Sequence, residues 1–296
     1  MSTDTQRTDK VFFVTGSSRG LGRKIAEAVL AAGHRLIATA RDPEQLADLG
    51  AEGGDRFRAI ALDVADAGAA QRAVRAAIEA FGRLDVVVNN AGYANLASIE
   101  DITIEDFRAQ VDTNLFGVVN VTKAALPILR KQGSGHVIQI SSVGGRLATA
   151  GLSAYQASKW ALGGFSEVLA QEVAPLGIKV TVLEPGGMRT DWAGASMKTP
   201  PISEPYQQTV GALGQRLSSS PISALGDPAK VAQVVLAVAA MDKPPLRLLL
   251  GSDAVLYAGL VEKGRAEADA QWRDLSVSTD RNDATATERD PLGRKA

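Results

Sequence analysis

Cysteine is absent from all 296 residues of the sequence. Disulfide bonds, thiolate catalysis and cysteine-ligated metals are therefore excluded. Histidine is almost as rare, because His34 and His136 are the only two in the chain. Two imidazoles so far apart in the sequence argue against a histidine metal site, and we expect no bound metal.

An excess of charge of either sign is missing as well. Lys and Arg together number 32 and Asp and Glu number 33, which gives a formal net charge of -1. Because the basic residues are scattered, we expect neither nucleic acid nor an anionic membrane surface as a partner. The polar first ten residues lack the apolar core of a signal peptide, and no run approaches the ~18 apolar residues of a membrane span. The sequence therefore predicts a soluble cytoplasmic protein.

What the chain does contain is a regular alternation of apolar runs and helical patterns. The runs are nearly continuous in Val, Ile and Leu, as strands covered on both faces should be. Such alternation predicts an α/β fold, a Rossmann-type doubly wound parallel sheet of about seven strands with helices on both faces. The predicted strands are residues 11–15, 35–40, 57–62, 84–89, 136–141, 178–184 and 246–250, and the predicted helices lie near residues 20–33, 66–82, 103–131, 153–174 and 227–241.

The pattern predicts one catalytic domain with short additions. Residues 1–9 are expected to be a flexible N-terminus and residues 10–254 the Rossmann-type domain. Within it, residues 191–226 carry several prolines and are interpreted as a substrate lid, although a surface loop without function is the alternative. Residues 255–296 are expected to form a C-terminal helical extension with a polar tail.

A glycine cluster joins the first predicted strand to the first helix, in the stretch 15-TGSSRGLG-22. Glycines permit a tight turn, and the free N–H groups at the start of a helix favour a pyrophosphate. The strand before and the helix after the cluster therefore favour a dinucleotide-binding turn over an accidental loop. The predicted cofactor contacts here are Gly16, Ser18, Arg19, Gly20, Leu21 and Gly22.

The end of the second predicted strand indicates which dinucleotide is bound. NAD-specific proteins usually carry an acidic residue there for the ribose 2′-hydroxyl, but this chain has Ala40 followed by Arg41. Arg41 and Arg19 suit a 2′-phosphate, since guanidinium groups bind phosphate oxygens well. The alternative is a pair of solvated surface arginines, and the adjacent Asp42 complicates the pattern. We expect NADP(H) to be preferred over NAD(H).

Tyr155 and Lys159 lie four residues apart in a predicted helix, which makes their side chains neighbours. A nearby cation should lower the pKa of a tyrosine from its usual value of about 10. The phenol would then act as a general acid or base near neutral pH. An interfacial tyrosine beside a lysine that extends to solvent is the alternative for an isolated pair.

At this point the chain closely resembles the classical short-chain dehydrogenases/reductases, in particular NADP-preferring carbonyl reductases and hydroxysteroid dehydrogenases. The resemblance extends over residues 11–190, with the family's motifs in the family's order. It implies hydride transfer between the nicotinamide and a ketone or secondary alcohol. The matching stretches are 15-TGSSRGLG, 89-NNAG, Asn114 within 111-VDTNLFG, 140-ISS, 155-YQASK and 185-PGGMRT.

The resemblance also implies a role for each candidate catalytic residue. Ser142 and Tyr155 would hold the substrate carbonyl oxygen, and Tyr155 would exchange a proton with it. Lys159 would lower the Tyr155 pKa and bind the nicotinamide ribose. Asn114 would anchor a water that links Lys159 to solvent, although a mid-helix Asn can also bond a backbone carbonyl.

Further residues are implied to bind the cofactor and the substrate. Asp63 is implied at the adenine but could equally cap the following helix. The mainly apolar substrate walls favour a hydrophobic ketone or alcohol. The additional cofactor residues are Asp63, Val64, Asn90, Ala91, Gly92, Pro185, Gly186 and Thr190, and the substrate residues besides Ser142 and Tyr155 are Tyr93, Val143, Gly187 and Trp192.

Gly163 and Gly164 follow the reactive pair, although a glycine inside a helix costs about 1 kcal/mol relative to alanine. We interpret them as space for a second helix, and the family resemblance implies a homodimer or homotetramer. Two other functions remain open. One is an NAD(P)-dependent epimerase or dehydratase with the same Tyr–Lys pair. The other is a dinucleotide-sensing regulatory protein without turnover.

Overall fold

Seven parallel strands form a single sheet at the centre of the molecule. The computed structural model describes residues 9–188, 197–219, 225–290 and 293. The strand order is β3-β2-β1-β4-β5-β6-β7 and every neighbouring pair is parallel, which confirms the predicted doubly wound sheet. The strands are β1 Val11–Val14, β2 Arg35–Ala40, β3 Phe57–Ala61, β4 Val86–Asn89, β5 Gly135–Ile140, β6 Ile178–Pro185 and β7 Arg247–Leu250.

Helices cover both faces of this sheet and create two hydrophobic cores. Side chains alternate along a strand, so Phe12 and Phe13 of β1 are buried on opposite faces. The Phe12 core includes apolar residues of α1 and α8, whereas the Phe13 core includes those of α3, α5 and α6. The helices are α1 Gly20–Ala31, α2 Ala47–Gly53, α3 Ala67–Phe81, α4 Ile104–Val111, α5 Gly117–Gln132, α6 Ser153–Val173, α7 Ala212–Ser219, α8 Pro228–Ala240, α9 Ser252–Gln271, α10 Arg273–Val277 and α11 Ala286–Arg289.

The single helix predicted over residues 103–131 is interrupted. A π-helical turn at Asp112–Phe116 separates α4 from α5. Such a turn widens the helix by one residue and is frequently found at functional sites. It carries Asn114 into the interior, where the residue is fully buried.

The C-terminal extension is largely helical, and α9 begins at Ser252, so the predicted boundary at residue 254 falls inside a helix. Only Ala254 and Ala258 of α9 are buried. Among the residues that the structure describes, no helix combines the length and the apolar character needed to cross a bilayer.

His136 lies at the start of β5 and is almost fully buried. The Thr181 hydroxyl donates to the Pro245 carbonyl oxygen at 2.8 Å and lies 3.0 Å from His136 Nε2. Because that hydroxyl hydrogen is already used, Nε2 must be the donor of the imidazole. Nδ1 has no partner among the described residues. Burial, with Lys179 and Lys10 nearby, therefore lowers the pKa of His136 to about 4.

This lowered pKa predicts an acid-sensitive fold. Above pH 6.5 the ring is neutral in both the folded and the unfolded chain, so stability is unaffected. As the pH falls from 6.5 toward 4, only the unfolded chain takes up the proton, and the free energy of unfolding drops by up to roughly 3 kcal/mol. Denaturant unfolding at several pH values should show a flatter decline for His136→Gln. A His34→Gln control should retain most of the decline, and equal declines in the wild type and His136→Gln would contradict the assignment.

Candidate active site

Ser142 and Tyr155 meet at the carboxyl end of β5. Ser142 lies two residues beyond that strand and caps a short turn at Val143–Gly145, where its Oγ accepts from the Gly144 N–H at 3.0 Å. The same hydroxyl donates to the Pro185 carbonyl oxygen at 3.4 Å. Its side chain is also hydrogen-bonded to that of Tyr155. The two hydroxyls therefore lie together where ligands of open α/β sheets bind.

Lys159 completes this cluster from the next turn of α6. Its Nζ donates to the Ile140 carbonyl oxygen at 2.7 Å and lies 5.8 Å from the centre of the Tyr155 ring. The residue is only 5% exposed, so this contact ties an ammonium to the end of β5 in the interior. The i, i+4 spacing has brought the two side chains together, as the sequence predicts.

The predicted lowering of the Tyr155 pKa is wrong for the ligand-free protein. Burial raises the pKa of Tyr155 to about 12, although the hydrogen bond with Ser142 opposes the shift. Burial also lowers the pKa of Lys159 to about 8. Loss of hydration disfavours the phenolate and the ammonium alike, and it is the largest effect on both groups. Tyr155 is therefore a protonated phenol at neutral pH.

Asn114 joins the π-helical turn to the segment after β4. Its Nδ2 donates to the Tyr93 carbonyl oxygen at 2.8 Å, and its Oδ1 accepts from the Tyr93 N–H at 3.0 Å. Nδ2 also lies 3.3 Å from Ser158 Oγ. A Cβ on Gly92 would stand 3.0 Å from Asn114 Oδ1 and 3.8 Å from Lys159 Nζ, which places Gly92 beside both side chains.

The glycine turn is held against the end of β4. Gly16 has a φ of +67° and packs on Ala91, where a Cβ would come within 2.9 Å of the Ala91 Cα. Asn90 Nδ2 donates to the carbonyl oxygens of Thr15 and Gly16 at 2.9 and 3.2 Å. A Cβ on Gly22 would reach the Gly16 oxygen at 2.2 Å, so this close packing requires glycine.

Thr15 is a supporting residue that sequence reasoning missed. Its Oγ1 accepts from the N–H groups of Asn90 and Ala91 at 2.9 and 3.0 Å. The hydroxyl therefore supplies the hydrogen bonds of two backbone donors at the end of β4. In the sequence, the one feature that could have identified this role is the position of the threonine directly before the glycine turn.

The start of α1 is open to a ligand. Arg19 occupies the N-cap position without a side-chain cap, so no described side chain covers the first N–H groups of Gly20 and its neighbours. Arg19 itself is exposed and Ser18 half-buried, whereas Leu21 points into the core. The turn thus has the donor chemistry that a pyrophosphate requires.

Arg41 follows Ala40 at the end of β2 and is exposed. Within the part of the chain that the structure describes, neither Arg41 nor Arg19 pairs with a carboxylate. Asp42 instead caps the next turn, with Oδ1 accepting from the Glu44 N–H at 3.1 Å. This structural role accounts for the acidic residue that complicates the sequence pattern.

Asp63 and Val64 follow β3. Asp63 is exposed and its Oδ1 accepts from the Ala65 N–H at 3.0 Å, whereas Asp66 caps α3. The alternative of Asp63 as the helix cap is therefore wrong. Val64 is buried and its carbonyl oxygen accepts from Asn120 Nδ2 at 3.0 Å.

The backbone just after β6 is bound by a carboxylate that the sequence analysis did not identify. Pro185 is buried, and the Gly187 N–H donates to Asp253 Oδ2 at 2.8 Å. A Cβ on Gly186 would come within 2.3 Å of the same carboxylate, so only glycine fits there. Thr190 and Trp192, two predicted site residues, lie outside the described residues.

The predicted substrate walls are only partly brought together. Val143 follows Ser142 directly, and Tyr155 packs in an apolar cluster with Leu96, Leu152 and Val210. Residues 197–217 of the predicted lid cover this cluster with Met197, Ile202, Tyr206, Leu213 and Leu217.

Tyr93, a predicted substrate residue, follows β4 and is partly buried. Its hydroxyl contacts Thr113, and the charges around it belong to Asp106, Arg41 and Asp112. Burial, the largest effect, raises the pKa of Tyr93. The Tyr93 hydroxyl therefore lies close to the π-helical turn that carries Thr113.

A separate cavity of about 460 Å³ opens on the outer side of α6. Leu147, Gln156 and Trp160 contribute to its wall, but Ser142, Tyr155 and Lys159 do not. This cavity is therefore distinct from the candidate active site.

The first glycine of the α6 pair lies against β7. A Cβ on Gly163 would stand 3.3 Å from the Arg247 guanidinium, so this glycine leaves room for that side chain within the chain. Gly164 has no atom within 4 Å among the described residues, and its role in helix packing stays a prediction.

Comparisons with known proteins identify the family of this chain. The family model described as short chain dehydrogenase matches residues 10–200. Oxidoreductase BOA17 of Botryotinia fuckeliana is 58% identical over 271 residues, which cover 91% of this chain and 99% of that protein.

Two solved structures share the architecture. A short-chain dehydrogenase from Streptomyces avermitilis is 42% identical, with a TM-score of 0.86 over 95% of this chain and 100% of that one. An alcohol dehydrogenase from the archaeon Thermococcus sibiricus, complexed with 5-hydroxy-NADP, is 27% identical. Its TM-score is 0.67 over 81% of this chain and 95% of that one.

The raised pKa of Tyr155 can be measured directly. Tyrosinate absorbance of the ligand-free protein, followed against pH, should show no step near neutrality that disappears in Tyr155→Phe. The Tyr155 contribution should emerge only toward pH 12, because its phenolate is buried. Tyr257→Phe removes an exposed tyrosine and is the matched control for the loss of one phenol. A nearby cation that dominated over burial would lower the Tyr155 pKa. A Tyr155-dependent absorbance step at about pH 7 to 8 would therefore contradict the burial argument.

Proposed function

This chain belongs to the short-chain dehydrogenase family, and we propose that it is an NADP(H)-dependent oxidoreductase that interconverts a ketone and a secondary alcohol. The observation that carries the proposal is the contact between Ser142 and Tyr155, with Lys159 behind it, at the carboxyl end of β5. Two hydroxyls that converge on one point can hold a carbonyl oxygen, which is the atom that gains negative charge during reduction.

A nicotinamide dinucleotide, when bound, supplies or accepts the hydride. The residues present suit it, because the uncapped start of α1 offers backbone N–H groups to a pyrophosphate. No carboxylate among the described residues pairs with Arg19 or Arg41, so their guanidinium groups would supply the charge that a 2′-phosphate needs. The bound 5-hydroxy-NADP of the Thermococcus sibiricus relative supports this preference by analogy.

The protonation state of Tyr155 favours an acid role. The Tyr155 phenol is protonated at neutral pH, so it holds a proton that it can donate to a carbonyl oxygen in the reducing direction. Ser142 would share that oxygen. Lys159 remains largely cationic at neutral pH and would stabilise the phenolate left behind.

The surroundings of Tyr155 favour an apolar substrate. Leu96, Leu152 and Val210 pack around its ring, and Met197 extends the same apolar surface. We propose a medium-sized or bulky hydrophobic ketone or alcohol, with the remaining site residues acting as the family resemblance implies. We also propose a cytoplasmic homodimer or homotetramer.

Removal of the Tyr155 hydroxyl should abolish turnover. Tyr155→Phe keeps the packing but removes the proton donor, so we expect kcat for ketone reduction to fall on the order of 10³-fold. NADPH consumption with a panel of ketones measures this loss, and exposed Tyr257→Phe serves as the control. Unchanged turnover in Tyr155→Phe would contradict the mechanism. Cofactor binding by the wild type without turnover of any carbonyl would favour the sensing protein.

Cofactor preference should depend on the two exposed arginines near the glycine turn, Arg19 and Arg41. Arg19→Ala and Arg41→Ala each remove charge-assisted hydrogen bonds to a 2′-phosphate, so each should raise the KM for NADPH on the order of tenfold. The KM for NADH should change little, because NADH has no such phosphate. Arg75→Ala, an exposed arginine of α3, is the matched control. Equal effects on both cofactors would reject the assignment.

A further inference from the structure

Glu184 is a carboxylate inside the sheet. It lies in β6 between Leu183 and Pro185, and its side chain is 0% exposed. A carboxylate in such a position is very costly unless it is paired and hydrogen-bonded. Two arginines, Arg146 and Arg247, meet this requirement from opposite sides.

Arg146 binds Glu184 through two points of its guanidinium. Nε lies 3.1 and 2.9 Å from the two carboxylate oxygens, and Nη2 lies 2.7 Å from Oε2. Such a fork is directional as well as strong. Arg146 directly follows the Val143–Gly145 turn, and its N–H donates to the Val143 carbonyl oxygen at 2.8 Å. Ser142 therefore caps the beginning of a turn whose end is fixed to Glu184.

The second arginine connects Glu184 to a different part of the molecule. Arg247 Nε lies 3.2 Å from Glu184 Oε1, and its Nη2 binds the same oxygen. Its Nη1 lies 2.7 Å from Glu167 Oε1 on α6, where Gly163 leaves room for the guanidinium. This side of the network does not touch the Ser142 turn.

The C-terminal helix closes over Arg146. Glu262 of α9 pairs with Arg146 Nη1, and Arg265 Nη2 donates to the Arg146 carbonyl oxygen at 2.8 Å. The Arg265 guanidinium also lies over the Trp160 ring at 4.6 Å from its centre. Both the side chain and the backbone of Arg146 are thus held.

We propose that Glu184 and Arg146 are positioning residues that set the place of the Ser142 hydroxyl. Glu184 is connected to two groups that contact the Ser142 hydroxyl, namely the turn that Ser142 caps and the Pro185 carbonyl. Through Arg146 it fixes the turn that Ser142 caps, and through the backbone it precedes Pro185, whose carbonyl accepts the Ser142 hydrogen bond. Neither residue touches the reacting atoms. The inference rests on the proposed function, because Ser142 must contact the substrate oxygen for its position to matter.

Arg146→Lys tests the role of the fork. Lysine keeps a charge opposite Glu184, so the protein should remain folded, but it cannot bind the carboxylate at two points. We expect kcat for ketone reduction to fall on the order of tenfold, since small misplacements of catalytic groups are costly. The Kd for NADPH, measured by fluorescence, should stay unchanged. Glu167→Gln is the matched control, because it weakens the same network on the side away from Ser142 and should leave kcat unchanged.

A double-mutant cycle with Ser142→Ala separates positioning from general stability. If Arg146 acts through Ser142, the double variant should lose no more activity than Ser142→Ala alone. Multiplicative losses, or a lower Tm with unchanged kcat in Arg146→Lys, would overturn the positioning role only. Full activity of Ser142→Ala would overturn the proposed function together with this inference.

Discussion

Lys159 places a buried ammonium against the last carbonyl of β5. Its Nζ donates to the Ile140 oxygen at 2.7 Å, and an ammonium in the interior is costly without such a partner. The contact fixes α6 on the carboxyl edge of the sheet, with Tyr155 directed at Ser142. The serine turn packs on the same helix, because a Cβ on Gly145 would stand 2.9 Å from the Lys159 carbonyl oxygen. The spacing of the candidate groups therefore depends on how one helix meets one strand.

Polar side chains divide into those that hold loops and those that remain available. Thr15 and Asn114 bond backbone groups at the end of β4, so these loops are rigid without regular secondary structure. Arg19 and Arg41 remain exposed beside the uncapped start of α1. Neutral side chains thus support these loops, whereas the two arginines beside the glycine turn stay exposed. This distribution suits the phosphate groups of the proposed cofactor.

The sheet and the reactive pair could be predicted because their signals are local. Continuous apolar runs identify strands covered on both sides, and the Tyr155–Lys159 spacing identifies one helix face. The break at Asp112–Phe116 could not be predicted, since the sequence there contains neither glycine nor proline. The direction of the Tyr155 pKa shift depends on burial created by Leu96 and residues far along the chain.

Contacts between segments that are distant in the sequence could not be predicted either. Glu184 is visible as a charged residue in an apolar strand, but its partners come from a turn and from β7. Gly163 is visible as an unusual residue inside a helix, but its sequence position does not reveal that the Arg247 side chain lies beside it. In both cases the residue type reveals an unusual environment, whereas the tertiary fold decides what occupies it.

The position of α9 in the chain has a consequence for biosynthesis. A ribosome releases the sheet strands first and this helix afterwards. Asp253, which binds the Gly187 N–H, and Glu262, which pairs with Arg146, both belong to that late segment. A nascent polypeptide can therefore assemble the sheet while the rim of its cleft still lacks two carboxylates. Maturation of the cleft therefore waits until α9 has left the ribosome.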